Sequence, residues 1–375
     1  MHGVSVREGW HQVVSPLPCI FILHALLLSL RKSIDGNMNL STLNGRTLFT
    51  SDMPDVEITA SDPLQVTVTC DGSQIMQETL WPMGGYVTLT ALGELLEPYA
   101  RKQLVCSVTI AAGNDTASCT VLFAMVDVGV SAQSFYNGRF LTILEGEKVT
   151  ALGRREHLWY YGQDSAQVTA NYSDGTHAAF DPGVGTTNPH YTCIDVSPSL
   201  FTVNGKTLVS YIVTAGTRSQ MYRIDQGKPD CAPILEFYNS FGVWEQIYCT
   251  GTHKVAPEYQ RSQARINGRL RNYRIRETRK FEADTGFLTT AMAKWADELF
   301  RSDKVYVLNV YNGSVQAAEN GREVVITDSK SEVSNDDGDM PHFSFTYQYA
   351  QRIHNVLQPS RVGRIFDNTF DHTFN

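Results

Sequence analysis

The sequence predicts a mainly β chain in which two N-terminal β-sandwich-like domains precede a sheet curled around one packed α-helix. Three observations carry that expectation. Short runs rich in Val, Thr, Ile and Leu alternate with polar residues at period two over most of residues 40–224. Clusters of Gly, Pro, Asn and Asp punctuate those runs. One stretch alone, residues 285–301, is long and clearly helical in its spacing. At 375 residues, 42% hydrophobic and 19% charged, the chain is folded and too long for a single ordinary core.

Residues 1–37 are read as a leader or as sequence upstream of a mis-assigned start. The apolar run 19–30 is too short to span a bilayer, and the basic pair Arg31 and Lys32 follows it rather than preceding it. Met38 offers an internal start; a signal or membrane anchor and a docking helix are the other readings.

Residues 38–128 form the first expected sandwich, with strands at 56–60, 64–70, 86–90, 104–111 and 118–126. Leu92, Leu95, Leu96 and Tyr99 recur at helical spacing, so a short helix is expected there, limited by Pro98. Residues 129–228 continue as a second β domain, with strands at 159–161, 168–172, 191–196, 208–214 and 221–224. The turn-rich segment 225–230 is the expected boundary.

From residue 229 to 357 the pattern changes. Strands are expected at 234–238, 243–251 and 273–282, then the helix 285–301 with Thr285 as N-cap and Leu288, Ala291, Met292, Trp295 and Leu299 on its apolar face. Strands follow at 305–310, 323–328 and 342–349. In the last, Phe343, Phe345, Tyr347 and Tyr349 share one face.

The formal charge of −8 gives no general attraction for nucleic acid. Seven cysteines at irregular spacing, with no CxxC, indicate neither a zinc site nor a full disulfide framework. Cys70, Cys106 and Cys119 fall in phase with apolar neighbours and read as small core residues. Trp81, between Cys70 and Cys106, sits beside Pro82 and Gly84-Gly85 as in a loop. The chain holds no nucleophile elbow, zincin helix, phosphate loop or dinucleotide fingerprint, and its histidines are scattered. Glu236 and Glu245 can be posed as a carboxylate pair only on a general argument. The acidic loop 334–339 fails the spacing of a calcium loop and reads as a hairpin turn. No catalytic, cofactor or metal residue is therefore assigned, and no enzyme activity is expected.

The run 237–245 (FYNSFGVWE), the basic strand 269–281, the segment 284–288 (DTGFL), the helix with Trp295 and Leu299, and 323–332 (EVVITDSKSE) resemble tail-region proteins of Bacteroidetes phages and prophages. The resemblance extends more faintly to 86–99. It implies a distal-tail or baseplate-like protein whose β split-barrel-like domain, with one packed helix, assembles into a ring in the virion. Fold analogy alone does not establish that role.

Two segments suit such contacts. Residues 261–280 hold eight basic residues against one acid, Glu277, and Arg269, Arg271, Arg274, Arg276 and Arg279 are taken as an assembly surface; the competing readings are a solvated strand face, in which a hairpin with an apolar inner face and a basic outer face explains the pattern without any partner, and a nucleic-acid contact. In 358–375, Phe366, Phe370 and Phe374 recur four apart as a docking tail, against the alternative of a loose terminus. The expected partners are copies of the chain and other tail proteins, with no specific nucleic-acid recognition and no stable membrane insertion. The runner-up is an exported cell-surface binding module, its aromatic loops around residues 159–161 stacking on glycan.

Overall fold

The computed structural model describes residues 38–184, 189–227, 233–308, 310–311, 314–315, 321–333 and 340–350. The segment 1–37, the acidic loop 334–339 and the tail phenylalanines lie outside them. The protein is mainly β, and its chain divides into two compact units, Met1–Leu122 and Phe123–Asn375. The expected boundary at 225–230 falls inside the second.

The first unit is a β-sandwich. A five-stranded sheet runs in the order Thr47–Phe49, Asp115–Leu122, Val105–Ala112, Leu64–Cys70, Ser73–Leu80, and a three-stranded sheet in the order Met38–Asn39, Val56–Thr59, Tyr86–Leu89. Alternate residues are buried in both, Val66, Val68, Val108 and Ile110 in one and Val56, Ile58, Val87 and Leu89 in the other, as two facing sheets require. The expected helix is present as Leu92–Gln103, but Pro98 does not limit it: Pro98 lies inside it. The missing N–H leaves the Glu94 carbonyl without its helical donor, yet Glu94 and Pro98 are both exposed, so water can take that place. The buried stripe is Leu92, Leu96 and Ala100. Gly93 is required here, because a Cβ would collide with the Thr50 carbonyl.

The second unit begins with another sandwich. Its five-stranded sheet is ordered His177–Phe180, Ala166–Tyr172, Leu208–Ala215, Arg218–Ile224, Glu147–Thr150; the smaller sheet is His157–Tyr161, Tyr191–Asp195, Gly183–Val184. Between them lie Leu158, Tyr160, Val168, Ile194, Tyr211, Val213 and Tyr222. The unit continues as a seven-stranded antiparallel sheet, ordered Trp244–Tyr248, Ile234–Tyr238, Val305–Leu308, Arg322–Lys330, Ser344–Tyr349, Arg269–Asp284, His253–Ile266. It curls: just beyond the first strand, Thr250 N donates to Thr285 O at 2.9 Å, just beyond the sixth. Inside the curl sit Leu235, Phe237, Ile247, Phe281, Phe345 and Tyr347, against Met292, Trp295 and Leu299 of the helix.

That helix starts later than its apolar spacing indicates. Thr289, not Thr285, is the N-cap, its hydroxyl accepting from Met292 N at 3.2 Å; the helix runs Thr290–Ala296 and resumes as Glu298–Arg301. Thr285 instead extends the sheet, donating its N–H to Phe343 O while its hydroxyl accepts from Phe343 N, both at 2.9 Å. Tertiary pairing outcompetes the local capping signal.

A buried polar seam joins the two parts of this unit. Lys148 Nζ donates to Glu156 Oε2 at 2.7 Å and lies 4.8 Å from the Trp295 ring centroid. Trp295 Nε1 donates to Glu245 Oε2 at 2.8 Å, and Asn239 Nδ2 donates to the same oxygen at 3.2 Å and to Leu141 O at 2.7 Å. Glu298 accepts from Ser240 N at 3.0 Å, and its other oxygen has no partner among the described residues. Burial, with repulsion from Glu245, pushes the Glu298 carboxyl up to about 7 from its ordinary 4.5. The folded state therefore holds a proton that the unfolded chain has lost, so stability falls as pH rises from about 4.5 to about 7. Glu298→Gln is expected to remove that part of the pH dependence and to raise stability at pH 8 by roughly 1–3 kcal/mol. Urea unfolding across pH 4.5 to 8 measures it; parallel wild-type and variant curves would contradict the assignment.

Candidate assembly surface

The two longest strands, His253–Ile266 and Arg269–Asp284, form one hairpin of which only the base belongs to the sheet. Among the described residues the neighbouring strand Ser344–Tyr349 pairs with residues 280–284 alone, so residues 254–279 stand as a two-stranded arm. The turn is Asn267-Gly268, both with positive φ (51° and 76°), the two-residue connection that matches strand twist. The expected strand 273–282 captures half of this hairpin. Its first strand, 253–266, is not among the expected strands, because polar residues fill most of its positions, and enters only through the hairpin reading of 261–280; Asn267-Gly268 is the signal that identifies it.

The register decides which side chains share a face. Ser262 pairs with Arg274 but Gln263 with Asn272, so Tyr273 is an extra, bulged residue. In a regular strand, Arg269 and Arg271 would point away from Arg274 and Arg276. The one-residue slip reverses the alternation beyond Tyr273 and places all four on one face, where all are exposed. Arg279 falls on the opposite face, half-buried, its guanidinium held by Glu277 Oε1 at 2.7 Å. The structure thus assembles four of the five predicted arginines and separates the fifth.

The Arg279 face continues the core face of Phe281. It carries Val255, Tyr259, Leu270 and Ile275, which are 48%, 44%, 65% and 55% exposed. Residues 254–280 hold nine basic residues and two acids, a charge of +7; with −8 for the whole chain, the remainder carries −15. The arm is therefore an amphipathic, cationic ribbon on an acidic protein.

Other candidates resolve into core. Glu236 faces Gln246, which donates to it at 2.8 Å, while Glu245 pairs with Phe237 on the opposite sheet face, so the posed carboxylate pair does not form. Residues 159–161 lie in the expected strand, and Tyr160, at 1% exposure, donates to Asp164 O at 2.5 Å. Cys70, Cys106 and Asp71 bring their ligand atoms within 4.8 Å of one another. The two cysteines occupy neighbouring strands of one sheet, and Asp71 is engaged by Ser107 N at 2.8 Å. Burial raises both thiols, and raises Cys119 to about 11 and Cys193 and Cys249 to about 12. A thiolate is disfavoured at each. These five thiols are accordingly expected to stay unreactive to Ellman's reagent at pH 8 until the chain is unfolded in guanidinium; rapid native-state labelling at any of them, read by peptide mass, would contradict their burial.

No protein-family model matches the chain, and no curated protein matches it. Among solved structures, the titin tandem A164-A165 is similar over 50% of this chain and 94% of that one, at 11% identity and TM-score 0.21. The titin I9-I11 tandem is similar over 50% of this chain and 62% of that one, at 11% identity and TM-score 0.15. A biofilm-associated protein's BSP domain covers 52% of this chain and 30% of that one, at 10% identity and TM-score 0.13. TM-scores this low carry no argument about what the chain does.

Proposed function

We propose that the protein is a non-enzymatic structural component of a phage or prophage tail, acting through assembly with copies of itself and with other tail proteins in the virion. The observation that carries the assembly part is the arm. A lone two-stranded hairpin is marginal in water, and this one exposes an apolar stripe on one face and four arginines on the other. A ribbon of that composition gains stability when the stripe is covered and the guanidiniums meet carboxylates. The acidic remainder of a second copy supplies such a surface. The tail context rests on the resemblance of residues 237–245, 269–281, 284–288 and 323–332 to phage tail-region proteins. Among the described residues no helix is long and apolar enough to cross a membrane.

Light scattering after size exclusion tests the assembly part. The full chain is expected to run as a discrete oligomer, and the quadruple variant R269S/R271S/R274S/R276S to shift toward monomer, with the wild-type oligomer loosening as salt is raised. A monomer in both, at low salt and high concentration, would overturn the proposal; retention on a nucleic-acid column by the wild type alone would move the arginines to a different partner.

A further inference from the structure

We infer that Cys70, Cys106 and Asp71 bind one divalent cation of the zinc or cadmium kind, which ties the strands Leu64–Cys70 and Val105–Ala112 together at one end of their sheet in the first unit. Two sulfurs and a carboxylate oxygen all lie within 4.8 Å of one another, and Cys70 Sγ stands 3.9 Å from Asp71 Oδ2. A tetrahedral zinc centre, with Zn–S of ~2.3 Å and Zn–O of ~2.0 Å, sets its sulfurs about 3.8 Å apart and each sulfur about 3.5 Å from the oxygen. Side-chain shifts of about an ångström or less convert one arrangement into the other.

The backbone prepares each ligand. Cys70 pairs with Val108, so Cys106, two residues along, is its diagonal neighbour on the same buried face. Asp71 and Gly72 make the tight turn into Ser73–Leu80, both with positive φ (48° and 78°). Ser107 N donates to Asp71 Oδ1 at 2.8 Å, which fixes the carboxylate and leaves Oδ2 beside Cys70 Sγ. A hydrogen bond of this kind is how proteins orient a ligating carboxylate. Asp71 is exposed, so the ion enters from its side and water completes the coordination.

A disulfide suits the same pair less well. Diagonal neighbours on adjacent antiparallel strands have Cα atoms about 7–8 Å apart, and a disulfide needs about 4.4–6.8 Å. An ion between the sulfurs spans the difference. On loading, each thiol gives its proton to solvent and its sulfur lone pair to the ion, so two protons leave per ion bound. The ligands come from two strands far apart in sequence, and no CxxC spacing announces them.

Titration of Cd2+ into the reduced, chelator-stripped full chain tests the inference, read by the ultraviolet absorption of cadmium–thiolate bonds, with Zn2+ as competitor. The absorption is expected to rise through one ion per chain and to reverse with Zn2+. C70A/C106A is expected to remove that equivalent, with circular dichroism checking that the variant folds. Asp71→Asn tests coordination with the turn intact, because Asn tolerates the left-handed backbone and keeps an acceptor for Ser107 N; it is expected to weaken binding by about tenfold or more. No absorption at one equivalent would overturn the inference. So would absorption undiminished in C70A/C106A, which would place the ion on other cysteines, or an affinity unchanged in Asp71→Asn, which would remove the carboxylate from the site.

Discussion

Trp295 packs at the centre of the second unit, fully buried, with its ring against Phe237 and its indole N–H on Glu245. The curl of the seven-stranded sheet depends on that contact. A sheet of this length needs something to wrap around, and the broken helix carrying Met292, Trp295 and Leu299 is what fills it. The same contact fixes the base of the arm. Phe281, packed into this core, is the point at which the hairpin leaves the sheet, so the arm's apolar face is the core face carried outward past the helix that covers it.

Burial of the indole brings a polar cost that the surrounding residues offset. Its N–H needs an acceptor, Glu245 supplies it, and Glu245 in turn is held by Asn239 and set against Glu298. On the far side, Lys148 reaches the ring while paired to Glu156. These residues come from both expected domains, and both lie within the one compact unit that begins at Phe123.

Much of the strand content was legible because half-buried strands alternate, and the runs 64–70, 104–111 and 234–238 do so cleanly. The curled sheet around a helix followed from one apolar stripe among strands. What was hidden has identifiable causes. Thr285 carries a capping signal that pairing with Phe343 overrides, and Pro98 is tolerated because its lost bond faces water. The arm's outer strand has little burial to leave a pattern. The arginine face is the clearest case: which guanidiniums share a side depends on a single bulge at Tyr273, and no periodicity in the sequence records a bulge. The seam of Lys148, Glu156, Glu245 and Glu298 draws on residues up to 150 positions apart, beyond any local reading.

The central claim is that the arm is an assembly element rather than a part of the fold. Shortening it tests that claim most directly: residues 257–279 replaced by Asn-Gly, which joins the paired Ala256 and Lys280 and keeps Phe281 and the strand base, followed by sedimentation velocity and thermal unfolding. The account predicts a monomer whose unfolding midpoint matches that of the dissociated wild type. An oligomer that survives the deletion would contradict it, as would a collapse of the midpoint, which would make the hairpin part of the fold it projects from.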